Sequence, residues 1–386
     1  MTTLKRMTQC AVGAAFLGLT QWSLTAVADE SFKPEVFTVE EAIPKGPNVF
    51  VNEAGWDAAS KIHVYGQDGL TYKGLLSLGL TSQILLSKDA SKVYAFSDYM
   101  KRYSYGPVES VLQIFDVNTL TPETEIVIPN QAAKAIGMSQ LLEKSADESL
   151  IYIQNATPAT SVTIANQKIG VVQGIIPTPG CYGIIPSTRG YRFSTWCGTG
   201  QFKTFTVNGD QYSVETSDPL FDSENSPLYV HSQRLKDGKL LLVGFNGDLV
   251  IADDSGPTMR FLETIPVASK EEGNWVPGGY MVTAYNAPND LVYMIMHSDA
   301  YEGSHKDGSE EIWAYSLKKR KLLSRSPAKH LVAITVTQDK TPKVYGSNED
   351  EESVDEYTVA STKDFSLTKA ASDGKAGWTT SLLVAK

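Results

Sequence analysis

Cysteine and histidine are scarce in this chain: three Cys and five His in 386 residues. Three Cys are too few to staple a mini-protein and too scattered for a zinc ribbon. The His, at 63, 231, 297, 305 and 330, show no His-x-His or His-Glu-x-x-His spacing. Each reads as a strand or surface residue rather than a metal ligand. Positive charge is in deficit as well. The 34 Lys+Arg against 44 Asp+Glu leave a net charge of −10, which excludes a basic nucleic-acid footprint. There is no Gly-x-Ser-x-Gly elbow, no Gly-rich phosphate loop and no Cys-x-x-Cys. Ser-x-Asp boxes do not recur. No segment carries a sustained helical period. What is present is 42% apolar residues, 30 Gly, 18 Pro and 18 Tyr, a composition for many turns and strands around a large core.

The N-terminus has the order basic, apolar, small, acidic. Lys5 and Arg6 precede the uncharged run Ala11–Leu24, and Ala26-Val27-Ala28 places small residues before Asp29. This predicts a secretory signal peptide over 1–28, with an apolar N-terminal helix as the alternative. The run of 14 residues is short for a bilayer span. Loss of Lys5 and Arg6 would take the net charge from −10 to −12. An exported chain then keeps one pair, Cys181 and Cys197, which reads as a structural disulfide; two buried thiols are the alternative. Closing a loop of that length is worth about 3 kcal/mol.

Short apolar strands recur. Their central residues are Phe50, Tyr94, Tyr152, Phe193, Leu242, Tyr293 and Tyr345, spaced 41 to 58 residues apart. Each is flanked by further strands, separated by turns such as Lys88-Asp89-Ala90 and Lys236-Asp237-Gly238. Four strands per unit at this period predict an all-β, seven-bladed β-propeller over 47–386, after an N-terminal arm at 29–46. The first unit lacks an innermost strand, and Trp378–Ala385 is a spare strand. The C-terminal strand is therefore expected to close the ring. Tandem β-sandwiches are the alternative. Glu349-Asp350-Glu351-Glu352 reads as a solvated turn, with Ca²⁺ binding as the alternative.

Several segments resemble the heavy subunit of the quinoprotein amine dehydrogenases, the methylamine and aromatic amine dehydrogenases. SDYMKRYSYG at 97–106, leading to LQIFDVNTL at 112–120, is similar to their Ser-Arg-x-x-x-Gly loop and following strand. Lys101 stands where the family has Ser, and Arg102 keeps the Arg. CYGIIP at 181–186, followed by Cys197, resembles their disulfide segment. NWVPGGY at 274–280 with Ala284-Tyr285, and then His305-Lys306, are similar to further family motifs in the same order.

The resemblance implies a seven-bladed propeller in a periplasmic α₂β₂ assembly. It implies that the heavy chain carries no cofactor and no catalytic group of its own. The small subunit would hold tryptophan tryptophylquinone and oxidise a primary amine to aldehyde and ammonia. Electrons would pass to a blue-copper protein of the amicyanin or azurin kind. In the family, a Phe in a loop after the second strand of an early blade lines the substrate channel. Ungapped alignment places Met100 there, with Tyr99 beside it, and Tyr103 and Tyr105 are expected near the subunit interface. A stand-alone exported propeller that acts as a binding module is the alternative reading.

Overall fold

The computed structural model describes residues 40–102, 105–129 and 131–385. The segment expected to be a signal peptide, most of the N-terminal arm and Tyr103 lie outside the described residues. The rest is almost wholly strand, with three single-turn 3₁₀ segments among the described residues.

Five four-stranded antiparallel sheets follow one another along the chain. The second runs Leu80–Leu86, Lys92–Arg102, Tyr105–Asp116 and Pro122–Ile128. The third, fourth and fifth begin at Leu142–Lys144, Cys181–Pro186 and Leu228–Arg234. The first is completed from the far end of the chain. Ser381–Val384 pairs with Asn48–Glu53, which leads into Lys61–Gly66 and Tyr72–Ser77. The C-terminal strand thus closes the ring, and the fold is an all-β propeller.

One expectation is corrected. Five blades, not seven, stand as separate sheets, and the remaining strands form one eight-stranded sheet. The cause is the 16-residue strand Lys321–Val336. Its first part, Lys321–Pro327, pairs with Glu311–Ser316, and its last part, Leu331–Val336, pairs with Lys343–Asn348, with Leu331 also opposite Ser309. The strand runs on through Pro327–His330, with a kink at His330 (φ 46°), where the other blades are separated by a coil. Before the third sheet, Ser139–Leu141 forms a 3₁₀ turn that leads into the short strand Leu142–Lys144.

Burial follows position within a sheet. The strands that carry the seven landmark residues are buried on both faces, as in Leu240–Gly244 and Leu291–His297. Such strands read as continuous apolar runs because neighbouring sheets stack on each side. Outermost strands alternate or are fully exposed, as in Gln211–Thr216. All seven landmark residues are at most 2% exposed. At one inter-sheet contact Phe193 lies 5.0 Å from Tyr152 and 5.1 Å from Phe205, centroid to centroid. At another, Val49, Val51 and Tyr65 pack on Ala333, Tyr345 and Val354, which joins the two ends of the chain in one core. Each large apolar side chain so buried contributes about 1.5–3 kcal/mol.

Cys181 and Cys197 are direct cross-strand partners at one end of the fourth sheet, and they are bonded. Their sequence separation is 16. Replacing both by Ser is expected to lower the free energy of unfolding by about 3 kcal/mol, measured by denaturant titration. An unchanged midpoint would show that the sheet alone holds these strands in register.

Candidate functional site

The second sheet departs from the others in one respect. Its middle strands have 11 and 12 residues, against five to seven for the corresponding landmark strands elsewhere. Residues 97–102 and 105–106, expected as part of a loop, are therefore in the outer part of a β-hairpin arm. Pairing runs through Asp98–Ser110, Tyr99–Glu109 and Met100–Val108 to Arg102–Tyr105. Near the tip the Arg102 guanidinium lies 5.4 Å from the ring centre of Tyr105, which is 62% exposed. At its base, Gly79 donates its N–H to Ser97 Oγ at 3.0 Å. A Cβ on Gly79 would come within 2.3 Å of the Asp98 carbonyl oxygen, so only glycine allows this approach.

The arm borders a cleft of about 560 Å³, which also reaches Val127 and Ile128. Tyr99 and Met100 both border it, but they point to opposite faces of the hairpin. Met100 shares its face with Asp98, Val108, Ser110 and Ile128, as the cross-strand pairs require. Tyr99 turns to the other face, where its hydroxyl donates to Gln113 Oε1 at 2.6 Å. Asp98 was not anticipated from the sequence. It is 2% exposed and accepts a hydrogen bond from the Ser110 hydroxyl. Lys134 Nζ lies 3.3 Å from its other oxygen.

Lys134 belongs to a second feature that sequence reasoning missed. The connection 131–141 dips into the ring axis. Gln83 Nε2 donates to the carbonyls of Ala135 and Ile136, and Met138 N–H donates back to Gln83 Oε1. Thr380 Oγ1 donates to Gly137 O at 2.8 Å. His231 faces Ser139 Oγ at 3.4 Å and donates through Nε2 to Thr283 O at 3.0 Å. These partners come from the innermost strands around the ring or lie beside them, so the connection plugs the axis. A Cβ on Gly137 would stand 2.6 Å from Ser381 Oγ and 2.8 Å from Asn52 Nδ2. Burial pushes the His231 imidazole down to about 4, so it is neutral.

At the other end of the ring the axis opens into a cavity of about 640 Å³ walled by Leu85, Met281, Ile334 and Leu383. Lys144 stands at its edge, bonded to Leu86 O and Glu148. The adjacent Glu143, on the same innermost strand, is pushed up to about 8 by burial, with Lys144 and Arg234 pulling the other way.

The described residues contain no group of three or more His, Cys, Asp or Glu that could hold a metal ion. Glu351 of the acidic run pairs with Lys329 and Lys369, and Asp350 pairs with His330. Trp275 and Trp313 are the contacting Trp pair among the described residues, 5.6 Å apart. Arg325 covers both rings at 4.3 and 4.8 Å, and Glu311 accepts from Trp313 Nε1 and Arg325 Nε. This closed stack leaves no open ring for substrate chemistry, so these residues do not fit a quinone built from two Trp.

The fold and the site together define an all-β propeller with a long hairpin arm beside a cleft. Comparison with known proteins narrows the class. Residues 46–378 match the methylamine dehydrogenase heavy chain (MADH) family, and the chain belongs to that family. It is 26% identical to the methylamine dehydrogenase heavy chain of Methylorubrum extorquens, over 75% of this chain and 71% of that one. It is 22% identical to that of Paracoccus versutus, over 86% and 78%. Among solved structures it resembles a candidate 6-phosphogluconolactonase from Bacteroides uniformis (TM-score 0.61, 13% identity, 89% of this chain and 100% of that one). One from Bacteroides fragilis is similar (TM-score 0.59, 11% identity, 91% and 100%). At these identities the structures share the fold alone.

Glu143 predicts a pH effect on stability. Its folded pKa lies above the unfolded carboxylate value, so the folded chain holds a proton that the unfolded chain has lost. Its contribution is complete at low pH and is lost as pH rises between about 4.5 and about 8. Glu143→Gln is expected to remove that part of the decline, read as melting temperature against pH. Parallel profiles for the two proteins would show that the carboxyl titrates alike in the folded and unfolded chain.

Proposed function

We propose that this chain is the heavy subunit of a periplasmic amine dehydrogenase. The observation that carries the reading is the propeller with its long arm, in a chain that belongs to the methylamine dehydrogenase heavy chain family. The signal peptide at 1–28 directs export, the arm at 29–46 follows, and 47–386 is the scaffold. The remaining strands complete the ring as one eight-stranded sheet continuous through Lys321–Val336. A small subunit completes an α₂β₂ assembly and carries tryptophan tryptophylquinone. The closed Trp275–Arg325–Trp313 stack supports placing that group on the partner.

The reaction converts a primary ammonium and water to an aldehyde, ammonium, two protons and two electrons. The quinone on the partner takes up the electrons, and a blue-copper protein of the amicyanin or azurin kind removes them. This chain contributes the wall of the substrate channel. Met100 is its apolar, adaptable part, because a thioether side chain fills irregular space. Tyr99 supports the arm from the opposite face through Gln113.

Native purification from periplasm, read by absorption spectrum and by the masses of co-purifying chains, tests the proposal. The expected result is a small Cys-rich chain with a quinone band that bleaches on adding a primary amine. A colourless single chain would overturn the reading and favour a stand-alone binding module. In the assembled enzyme, Met100→Ala is expected to shift kcat/KM toward longer alkylamines by about tenfold, since a methylene-sized change in an apolar pocket is worth 1–3 kcal/mol. Identical chain-length profiles would remove Met100 from the channel.

A further inference from the structure

We infer that the Asp98 carboxylate anchors a primary alkylammonium ligand in the arm cleft, and that Lys134 holds its place until such a ligand enters. In taking the ligand to be the amine substrate, the inference rests on the function proposed above.

The carboxylate is placed for this. Asp98 lies on the same hairpin face as Met100, Val108 and Ile128, just behind Ser110, which borders the cleft and donates to it. A carboxylate this deeply buried is costly unless charge and hydrogen bonds compensate it. One oxygen is served by the Ser110 hydroxyl. The other, Oδ2, is buried and accepts no hydrogen bond. The nearby cation is Lys134 Nζ, at 3.3 Å but without hydrogen-bond geometry. Asp98 is therefore neutralised in charge and left short of a donor.

Lys134 is itself a primary alkylammonium, so the structure already displays the chemistry that the carboxylate accepts. An ammonium carries three N–H donors and can supply the bond that Oδ2 lacks. The Lys134 side chain is 42% exposed and comes from the connection 131–141, not from a strand. The ammonium end of the pair is half-exposed and makes no hydrogen bond to Oδ2, so a better-seated ammonium can take its place while the carboxylate stays compensated. Met100, Pro107, Val108 and Ile128 then receive the alkyl chain. Neutral alcohols lack the charge, and quaternary ammonium ions lack the N–H donors, so both are disfavoured.

The test is titration of the full chain with n-butylammonium chloride, followed by calorimetry or ligand-observed NMR, with n-butanol and tetramethylammonium as comparisons. Lys134→Gln, an exposed change, is expected to tighten n-butylammonium binding by about tenfold, and Asp98→Asn to weaken it by about tenfold or more. The double variant is expected to bind as weakly as Asp98→Asn, which separates loss of a competitor from a general gain in negative charge. Unchanged affinity in Lys134→Gln, or equal binding of tetramethylammonium, would overturn the anchor. So would wild-type binding by folded Asp98→Asn. In the assembled enzyme, Asp98→Asn is expected to raise KM with kcat unchanged. Asp98-dependent binding by a chain that never yields a quinone enzyme would sink the proposed function and leave the anchor standing. Amine oxidation without Asp98-dependent binding would do the reverse.

Discussion

Ring closure is the interaction on which the rest of the structure depends. Ser381–Val384 pairs with Asn48–Glu53, so residues more than three hundred positions apart share one sheet. Without that pairing the first sheet would expose an unpaired edge at the axis, the kind of edge that invites association. Closure also brings the two ends of the chain into one core, where Val49, Val51 and Tyr65 meet Ala333, Tyr345 and Val354. Every other sheet packs on neighbours of both sides only because the circle is complete. The axis plug depends on it too, since Gly137 is held by Thr380, next to the closing strand.

Within that frame the two ends of the ring are unlike. One end opens into an aliphatic cavity, beside which Glu143 is held protonated by burial. The other carries the arm, whose strands continue beyond the sheet that supports them. The plug connects arm and axis: Gln83 binds it from below, and its Lys134 pairs with Asp98 at the arm's base. The side chains with unusual electrostatics, His231, Glu143 and Asp98, all lie on innermost strands or at this junction. That is where a propeller must bury polar groups, because the sheets converge there and leave little room for water.

In the proposed function the chain is a scaffold. Its paired Trp rings are closed by Arg325. Its contribution in that role is shape and charge around the cleft that the arm borders. Met100 and its apolar neighbours give the wall, and Asp98 gives a buried negative group just behind Ser110. In the proposed function the partner brings the redox chemistry, and the propeller wall selects the molecules that approach it.

The seven landmark strands were legible in the sequence because each is buried on both faces. Tyr94, Leu242 and Tyr293 sit in unbroken apolar runs that no turn or exposed strand would contain. The Cys181–Cys197 pair and the closing C-terminal strand were legible for related reasons, an even pair and a spare strand. The arm was not, because Ser97, Asp98, Lys101 and Arg102 read as a polar turn. They are extended only because Tyr105–Ser110 pairs with them. The joining of the last eight strands into one sheet depends on backbone continuity through Pro327–His330, which composition does not report. The plug and the Asp98–Lys134 pair arise from contacts between segments far apart in the chain. Local pattern determined which residues form strands. Only the tertiary structure decided which polar side chains meet at the axis and the cleft, because those meetings depend on how seven apolar strands pack around a ring.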